Sequence, residues 1–446
     1  MKKNTELITS HLFWRCMYFF SVLLINIGIA RYFAAGESGQ IFYIINSLSF
    51  ILLLTSLSLE SGIAYYIASD QFESGSLARF CMIFTAAASL VALGIWWLSE
   101  WFLASGKLGN GTFFLSSFLF ITGSLLITYF TAIFYANKEF AIPNRILCIV
   151  NGLLILLLIF SRDNFSIKNH FLEIYFAAFF LQGIVLCIFF FIRFDKSDKK
   201  QLPENVELKK VFRYSLTALL ANGLYFLVVR ADYWFVQLYC SKNDLGNYIQ
   251  AAKLGQMLLI IPSIFGSTLF PIFSSGERTA NIQELTSVTR ILLWINLVIC
   301  LGIVGLGWYF LPLVFGSSFS NLYVLFVLLM PGILAFTLNY PLAAWYSAEN
   351  RIIVNIRGAI FTLIIITAAD LIILPRLGGL FASVISSTGY ICFYCYSLIT
   401  FRKSHPVTWN DFFLVRKADL NRFLRIIGGR FLNSKATNPL VSNKKI

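Results

Sequence analysis

The chain alternates long apolar stretches with short polar connections over most of its 446 residues. A helix rises about 1.5 Å per residue, so roughly 20 apolar residues cross the hydrocarbon layer of a membrane. The pattern therefore predicts about twelve membrane-spanning helices. These are Leu12–Phe33, Ile41–Ser69, Phe80–Leu98, Thr112–Ala136, Ile146–Phe160, Phe171–Ile192, Val211–Leu238, Asn247–Phe273, Ile291–Phe315, Leu322–Ala348, Ile356–Ile373 and Leu380–Phe401.

The composition agrees with an all-α integral membrane protein. Hydrophobic residues make up 58% of the chain and charged residues 13%. A soluble fold of this length lacks the polar residues to cover so much apolar surface, so soluble enzymes are excluded. The first helix follows Lys2 and Lys3, exceeds the apolar length of a secretory signal and lacks a clear small-residue cleavage site. We expect it to be retained.

The longest polar interruption before the tail, Arg193–Arg213, separates six predicted helices from six. We therefore predict two pseudo-symmetric six-helix lobes, as in carriers built from repeats. The predicted divisions are an N-terminal lobe at 1–194, a cytoplasmic linker at 195–210, a C-terminal lobe at 211–402 and a basic cytoplasmic tail at 403–446.

Two local similarities between the halves support this division. Residues 37–43 and 244–249 each contain an acid, a glycine two residues later and an aromatic residue near the next helix. Residues 132–144 and 343–355 share four identical positions at the end of the fourth helix of each half. We expect Gly39 and Gly246 to permit tight turns at the outer surface.

Basic residues set the orientation. With a cytoplasmic amino terminus and twelve crossings, 26 of them fall in inside segments and 6 in outside segments. This bias follows the positive-inside rule and places both termini in the cytoplasm. The net charge of +14 is then mainly a topology signal. No nucleic-acid-binding fold accompanies it, so we expect no nucleic-acid partner.

Charges inside the predicted spans are candidates for function, because a charge in hydrocarbon requires a partner or a water-filled cavity. By depth, Arg15 and Glu60 are positioned to pair near the inner side. Arg230, Asp232 and Lys253 fall at a similar outer depth, with two positive charges and one negative. That surplus suits a phosphate, and the alternative is a structural ion-pair network in which Asp232 orients the helices.

Aromatic residues add a second class of candidates. Tyr225, Tyr248 and Tyr340 are candidates for lining a cavity and stacking on sugar rings, although tyrosine also favours membrane interfaces. The eight cysteines and three histidines are scattered, so we predict neither a disulfide framework nor a metal site.

The tail from Lys403 mixes basic and apolar residues. Two interpretations remain open for it. One is an interfacial helix on the anionic inner leaflet, and the other is a partly ordered tail that only fixes orientation. The last dozen residues have the composition of a disordered segment.

Four stretches resemble the polysaccharide biosynthesis, or O-antigen flippase, family of the multidrug/oligosaccharidyl-lipid/polysaccharide (MOP) exporter superfamily. The most specific is 230–255, which reads Arg-Ala-Asp-Tyr, then Leu-Gly-Asn-Tyr-Ile-Gln-Ala-Ala-Lys-Leu-Gly, and is followed by Ile-Pro at 261–262 and Leu-Phe-Pro at 269–271. The others are 30–43, 315–332 and 374–379. The last departs from the family pattern, since Gly379-Leu-Phe-Ala382 replaces the usual small-residue continuation.

The resemblance implies two six-helix lobes around a partly hydrophilic cavity in a bacterial inner-membrane protein. It implies transport of an undecaprenyl-diphosphate-linked oligosaccharide by alternating access, without a cofactor. Arg230 and Lys253, and after them Arg15 and Arg31, would then meet the diphosphate. Asp232 and Glu60 would be cavity ion-pair or ion-coupling residues. Implied partners are the lipid-linked substrate, membrane lipids and other proteins of polysaccharide assembly.

Two alternatives stay open. A drug or metabolite exporter of the same superfamily would share the fold and length, but the basic surplus favours an anionic substrate. A membrane enzyme of polysaccharide assembly usually shows a long outer loop or a polar catalytic constellation. Every predicted outer loop here is short and no such constellation is present, so we expect a non-enzymatic carrier.

Overall fold

The computed structural model describes residues 2–69, 71–102, 111–160, 165–194, 205–275, 278–408, 410–414, 416 and 419. Regular structure in these ranges is helical. The first eight helices are α1 Lys2–Ser56, α2 Leu59–Ala68, α3 Ser74–Phe102, α4 Gly111–Ala136, α5 Ala141–Phe160, α6 Phe165–Asn169, α7 Phe171–Arg193 and α8 Asn205–Arg230. The next eight are α9 Asp232–Tyr239, α10 Lys242–Leu258, α11 Ile260–Ser275, α12 Arg278–Phe315, α13 Leu322–Ala348, α14 Ile352–Leu377, α15 Leu380–Ser404 and α16 Asn410–Phe413.

Eleven helical segments of the described chain are long and apolar enough to cross a membrane. The first of them, Phe13–Ser56, is 44 residues long and contains a break at Ala34. It therefore accounts for two of the twelve predicted helices. Large apolar side chains such as Phe160 and Leu306 lie exposed on the helix surfaces, as they do in helices that face lipid. The prediction of an all-α, multi-pass membrane protein is confirmed.

The break at Ala34 is a local backbone feature with its own hydrogen bonds. Ala34 has φ 59° and ψ 179°, outside the helical region. The backbone N–H of Ala35 donates to Ser318 Oγ at 3.1 Å, and Ser38 Oγ donates to the Ala34 carbonyl at 2.5 Å. These contacts satisfy backbone groups that the break removes from the helical ladder.

The predicted glycine turns are wrong. Gly39 lies within the helical run of α1, and Gly246 lies within α10. In the second half, the chain turns before α10 at Ser241, whose side chain accepts the backbone N–H of Asp244 at 3.1 Å. Ser241 Oγ also donates to the Asp244 carboxylate at 2.7 Å. The acid shared by the two similar segments thus serves as part of a helix cap here.

The predicted helix Ile41–Ser69 is interrupted. Leu57 and Ser58 have φ values of 52° and 50°, which separate α1 from α2. The hydroxyl of Tyr129 donates to the Ser56 carbonyl at 3.0 Å, and the amide of Asn222 donates to Ser58 Oγ at 3.1 Å. The Ser58 backbone N–H donates to Ser56 Oγ at 3.2 Å, so protein groups satisfy backbone atoms at the break, as an irregular backbone in a membrane requires.

The described chain forms two compact units. The first contains residues 1–230 with Leu313–Phe319, and the second contains Ala231–Pro312 with residues from Ser320 onward. In the first unit, α4 and α7 approach closely at Gly123, where a Cβ atom would lie 2.4 Å from the backbone nitrogen of Phe180. Small residues at such crossings let membrane helices pack by van der Waals contact.

The second unit has its own core, in which α13 packs against α11 and α15. Its largest buried side chain, Trp345, contacts Phe273 and Phe401 with ring centroids 5.3 and 5.7 Å apart. Residues 195–204 of the predicted linker lie outside the described residues. The division into lobes at 1–194 and 211–402 stays a prediction.

Part of the tail docks on the second unit. Arg290 of α12, 2% exposed, donates to both carboxylate oxygens of Asp419, at 2.8 and 2.6 Å. Arg290 also donates to the Asp411 carbonyl, and the indole N–H of Trp294 donates to the Phe413 carbonyl at 3.0 Å. The described part of the tail contains the four-residue helix α16, and most of the tail lies outside the described residues, so both interpretations of it stay predictions.

Candidate functional site

Two acidic side chains are buried within the membrane-spanning segments of the second unit. Asp232 is 1% exposed and Asp370 is fully buried. They belong to α9 and α14, which pack against each other. Both helices lie within segments that are apolar enough to cross a membrane. A carboxylate in such a position requires a partner that neutralises or hydrogen-bonds it.

Asp232 is held by two hydroxyl groups from different helices. Its Oδ2 atom accepts hydrogen bonds from Tyr248 of α10 and from Ser386 of α15, the latter at 2.7 Å. The two hydroxyls also contact each other at 2.9 Å. Asp232 is the first residue of α9, which follows α8 after the single residue Ala231. Its other oxygen, Oδ1, has no hydrogen-bond partner among the described residues.

Asp370 is the less satisfied of the two acids. Within the described ranges, both of its carboxyl oxygens lack a hydrogen-bond partner. Asp370 lies close enough to Asp232 for the two groups to interact electrostatically. Neither acid forms an ion pair with a basic residue in the part of the chain that the structure describes. Two helices that pack against each other thus each carry a buried carboxyl group, and neither group has a cationic partner among the described residues.

A surrounding set of side chains fixes the tyrosine that holds Asp232. The ring of Tyr233 meets that of Tyr248 edge-on, with centroids 5.9 Å apart and an interplanar angle of 90°. The amide of Gln256 donates to the Tyr233 hydroxyl at 3.1 Å. These contacts limit the rotamers of Tyr248 and keep its hydroxyl directed at the acid.

The predicted basic cluster falls on both units. Arg230 is the last residue of α8 in the first unit, and its guanidinium lies over the ring of Phe226 at 5.2 Å. Asp232 and Lys253 belong to the second unit, where Lys253 is half-buried on α10. The predicted phosphate role of Arg230 and Lys253 stays a prediction.

The predicted inner pair is not formed. Arg15 is half-buried with its guanidinium 6.0 Å from the Phe19 ring, and no ion pair joins it to Glu60 in the described structure. Glu60 Oε2 is buried without a hydrogen-bond partner there. The break at 57–58 lies just before Glu60 and starts a new helix there, whereas the prediction of the pair assumed one continuous helix from Ile41 to Ser69.

Arg31, the remaining basic candidate, is exposed and donates to the Leu313 carbonyl at 3.1 Å. That carbonyl lies in the last turn of α12, where backbone acceptors lack helical partners. The observed contact is thus a helix C-terminal cap. The substrate role predicted for Arg31 stays a prediction.

The three candidate sugar-stacking tyrosines lie in different environments. Tyr225 is 44% exposed on α8. Tyr340 is half-buried on α13, edge-on to Phe336 at 5.8 Å. Tyr248 is fully buried and is engaged with Asp232. Their stacking on sugars stays a prediction.

Sequence reasoning missed two members of the buried site. Asp370 carried a usable signal, since an acid inside an apolar span is itself unusual. Ser386 lies among several hydroxyl residues of the last helix, at Ser383, Ser386 and Ser387. Its contact with Asp232, 154 positions earlier in the chain, follows only from the fold.

The oxygen atoms of this site define its possible chemistry. Two carboxyl groups and two hydroxyls can exchange a proton or hold a hard cation, which prefers oxygen ligands. The described residues contain no group of three or more His, Cys, Asp or Glu side chains able to hold a metal ion.

Comparison with known proteins gives a family match and a clear fold. Residues 176–323 match the family model described as "Polysaccharide biosynthesis protein". A search of curated proteins finds no match. This match covers about a third of the chain and agrees with the resemblance to polysaccharide biosynthesis proteins that the sequence predicts.

The similar solved structures include a flippase and drug transporters. The lipid II flippase MurJ in an inward closed conformation aligns with a TM-score of 0.67 and 14% identity, over 98% of this chain and 94% of that chain. An inward-facing multidrug resistance MATE transporter gives 0.65 and 14%, over 87% and 94%. The Vibrio cholerae MATE transporter VcmN gives 0.65 and 12%, over 92% and 100%. At these identities the similarity establishes the MOP fold.

Proposed function

We propose that this protein is a lipid-linked oligosaccharide flippase. It moves an undecaprenyl-diphosphate-linked glycan, the repeat unit of O-antigen or a related surface polysaccharide, from the inner to the outer leaflet by alternating access. The observation that carries the proposal is the match of residues 176–323 to a polysaccharide biosynthesis family within a chain that has the MOP fold. The fold shared with a lipid II flippase supports the same class of substrate.

The diphosphate of the proposed substrate is negatively charged, and the basic residues are its proposed binding partners. A diphosphate carries negative charge that membrane hydrocarbon cannot solvate. Arg230 and Lys253, with Arg15 and Arg31, are the proposed contacts for it, because guanidinium and ammonium groups bind phosphate oxygens strongly. Tyr225, Tyr248 and Tyr340 are the proposed contacts for the sugars.

Asp232 and Asp370 form the proposed coupling site. Two buried carboxyl groups without a basic partner cannot both stay charged, so a proton or a bound cation must neutralise them. The hydroxyls of Tyr248 and Ser386 position Asp232 to share that proton or cation. Loading and release of the ion would then favour different conformations of the carrier, since a ligand shifts an equilibrium by its differential affinity for the two states.

The setting of the proposal is the bacterial inner membrane, with both termini in the cytoplasm. This orientation rests on the bias of basic residues toward one side. Glu60 is retained as a second proposed cavity residue, because its carboxylate is half-buried with one oxygen unsatisfied among the described residues. The proposed carrier catalyses no covalent step and acts with the lipid-linked glycan, membrane lipids and polysaccharide assembly proteins.

The proposal is tested in proteoliposomes that contain a fluorescent polyprenyl-diphosphate-linked saccharide. The purified full chain should make the saccharide of both leaflets accessible to an added lectin or quencher, whereas protein-free liposomes should protect the inner fraction. Protection that is unchanged by the protein would reject the flippase.

A drug or metabolite exporter is the second candidate, and the MATE transporters among the similar structures favour it. Efflux of a cationic dye from the same proteoliposomes, without movement of the lipid-linked saccharide, would support this candidate. The basic candidates disfavour it, because they repel cationic drugs.

A further inference from the structure

An open cavity of about 520 Å³ lies in the first unit, apart from the buried acids. It is formed where α2 and the turn after it meet the first half of α8. Its walls carry three tyrosine rings, two basic side chains and two neutral polar side chains. They are Tyr65, Tyr66, Gln71, Lys210, Arg213, Tyr214 and Thr217.

One wall of the cavity is a single face of α8. Lys210, Arg213, Tyr214 and Thr217 follow one another at spacings of three, one and three residues. Residues three and four apart in a helix lie on the same side, so these four side chains form one continuous stripe. All four are exposed, and the stripe places two cations beside an aromatic ring.

The α2 side of the cavity adds two aromatic rings, Tyr65 and Tyr66. Tyr65 stacks on Tyr214 with centroids 4.8 Å apart and an interplanar angle of 14°. Tyr66 stacks on Phe72 at 4.8 Å and meets Tyr214 edge-on at 6.3 Å. Stacked rings of this kind lose little entropy when a ligand binds, because their rotamers are already restricted.

The two walls are held together by a close helix contact. Gly62 of α2 packs on α8, where a Cβ atom would lie 2.5 Å from Ser215 Oγ and 2.9 Å from the Val211 carbonyl oxygen. Only glycine permits this approach. The approach places Tyr65, one turn after Gly62, against Tyr214.

The described lining of the cavity contains two cations and no acid. Among the residues whose side chains the structure describes, neither Lys210 nor Arg213 forms an ion pair with an acid. Lysine and arginine side chains side by side attract phosphate, and arginine adds a planar fork of donors. Tyrosine faces pack well on the apolar faces of sugar rings, and their hydroxyls bond sugar hydroxyls. The lining therefore suits a phosphorylated saccharide better than an apolar chain or a cation.

We propose that this cavity is a loading site that binds the diphosphate and first sugar of a lipid-linked saccharide before it enters the carrier. The assignment rests on the proposed flippase function and on its orientation, which puts Lys210 and Arg213 at the cytoplasmic end of α8. Lys210 and Arg213 bind the diphosphate, and Tyr65 and Tyr214 contact the sugar. The polyprenyl chain stays in the adjacent bilayer.

The test measures binding to the full-length protein in neutral phosphatidylcholine nanodiscs. The probe is polyprenyl-diphosphate-linked N-acetylglucosamine, and its Kd is measured by microscale thermophoresis. The double variant Lys210→Gln/Arg213→Gln should raise the Kd by about tenfold or more, because it removes two charge-assisted contacts. Lys209→Gln is the control: the same helix loses one positive charge at an exposed position that does not line the cavity.

A separate variant tests the contact between the tyrosines and the sugar. Tyr214→Leu should raise the Kd of the sugar-bearing probe by about fivefold and that of polyprenyl diphosphate without sugar by less than about twofold. Equal effects on both probes would overturn the assignment of the tyrosines. A double variant that binds the probe as the wild type does would overturn the loading site as a whole.

Two further probes distinguish the source of the phosphate. Inorganic diphosphate that binds with the same Kd, or phosphatidylglycerol that displaces the probe at equal mole fraction, would overturn the site in favour of a general anion or lipid site. The flipping assay separates the two proposals. A wild type that binds the probe but moves no saccharide rejects the flippase, whereas normal flipping with unaltered binding in the double variant rejects only the loading site.

Discussion

Asp419 and Asp370 are both buried in the second unit, but their surroundings differ. Asp419 receives a bidentate guanidinium from Arg290 at 2.6 and 2.8 Å, and the backbone N–H of Arg416 donates to it at 2.7 Å. Asp370 receives no hydrogen bond from any described residue, and the charged group near it is another acid, Asp232. One carboxylate is fully compensated by protein, and the other is not.

The difference separates a structural acid from a functional one. A buried ion pair with good geometry stabilises one arrangement of the chain, and its charged groups have no free position for a ligand. A buried acid without a protein partner destabilises the fold unless a mobile ion completes it, and such sites persist in membrane carriers as ion-binding positions. Arg290–Asp419 therefore anchors the tail, whereas Asp232 and Asp370 are the acids that we propose respond to an ion.

The largest expected effect is a loss of stability when the ion pair of Asp419 is broken. Arg290→Ala should destabilise the second unit by about 3–5 kcal/mol, because it leaves Asp419 buried without its partner. Thermal unfolding in detergent, with limited proteolysis of the tail, measures this loss. The double variant Arg290→Ala/Asp419→Ala should recover much of it, since no buried charge remains. A double variant no more stable than Arg290→Ala would show that the pair is not the anchor.

Next comes the functional acid. Asp370→Asn should reduce surface polysaccharide or saccharide flipping about 100-fold, because the amide cannot gain or lose a proton and binds cations weakly. The unfolding temperature should be unchanged or higher, since a buried charge is removed. A variant that is inserted in normal amount and flips at the wild-type rate would return Asp370 to a structural role.

A smaller effect is expected at the hydroxyls that hold Asp232. Ser386→Ala should lower the flipping rate about tenfold, because one of the two hydrogen bonds to the acid is lost. Ser397→Ala is the matched control on α15: its hydroxyl is fully buried and unpartnered among the described residues. Equal losses in the two variants would mean that Ser386 matters through packing alone.

The smallest effect concerns pH and the tail. The backbone N–H of Thr408 and the guanidinium of Arg416 hold the pKa of Asp411 below its usual value. Burial alone would raise the pKa of Asp419. Hydrogen bonds from Arg290 and from the backbone of Arg416 lower this pKa by a larger amount, so the net shift is downward.

The pKa of each carboxyl group is lower in the folded protein than in the unfolded chain, where it is about 3.9. Each carboxylate therefore stabilises the fold fully at pH values above about 3.9, and this stabilisation is lost as the pH falls through the pKa of the folded state. Tail protection against protease should therefore be constant from about pH 7 to 5 and fall below about pH 4. In Asp411→Asn the decrease in tail protection below pH 4 should be smaller, by about 1 kcal/mol or less in the free energy of tail opening. Loss of protection near neutral pH would contradict this assignment.

The sequence predicted most of the membrane helices because their signal is local. The predicted Leu322–Ala348 coincides with α13, and Phe171–Ile192 differs from α7 by one residue. The break at 57–58 was missed because Leu-Ser within an apolar run has no distinctive composition. Its stabilising contacts come from Tyr129 and Asn222, far away in the chain.

The candidate site was predicted in part for the same reason. Asp232 and Glu60 were identified as charges inside apolar spans, which a sequence displays directly. Which partner each acid receives depends on helix packing, so the hydrogen bonds of Tyr248 and Ser386 to Asp232 could not be foreseen. The pairing of Arg290 with Asp419 likewise joins residues 129 positions apart.

The central claim is that the Asp232–Asp370 site couples an ion to transport, and the direct measurement is the response of flipping to an imposed gradient. In proteoliposomes, a proton or sodium gradient should accelerate saccharide flipping by the wild type and by Arg290→Ala/Asp419→Ala. The same gradients should leave the flipping rate of Asp370→Asn unchanged. A gradient response in Asp370→Asn equal to that of the wild type would contradict the account.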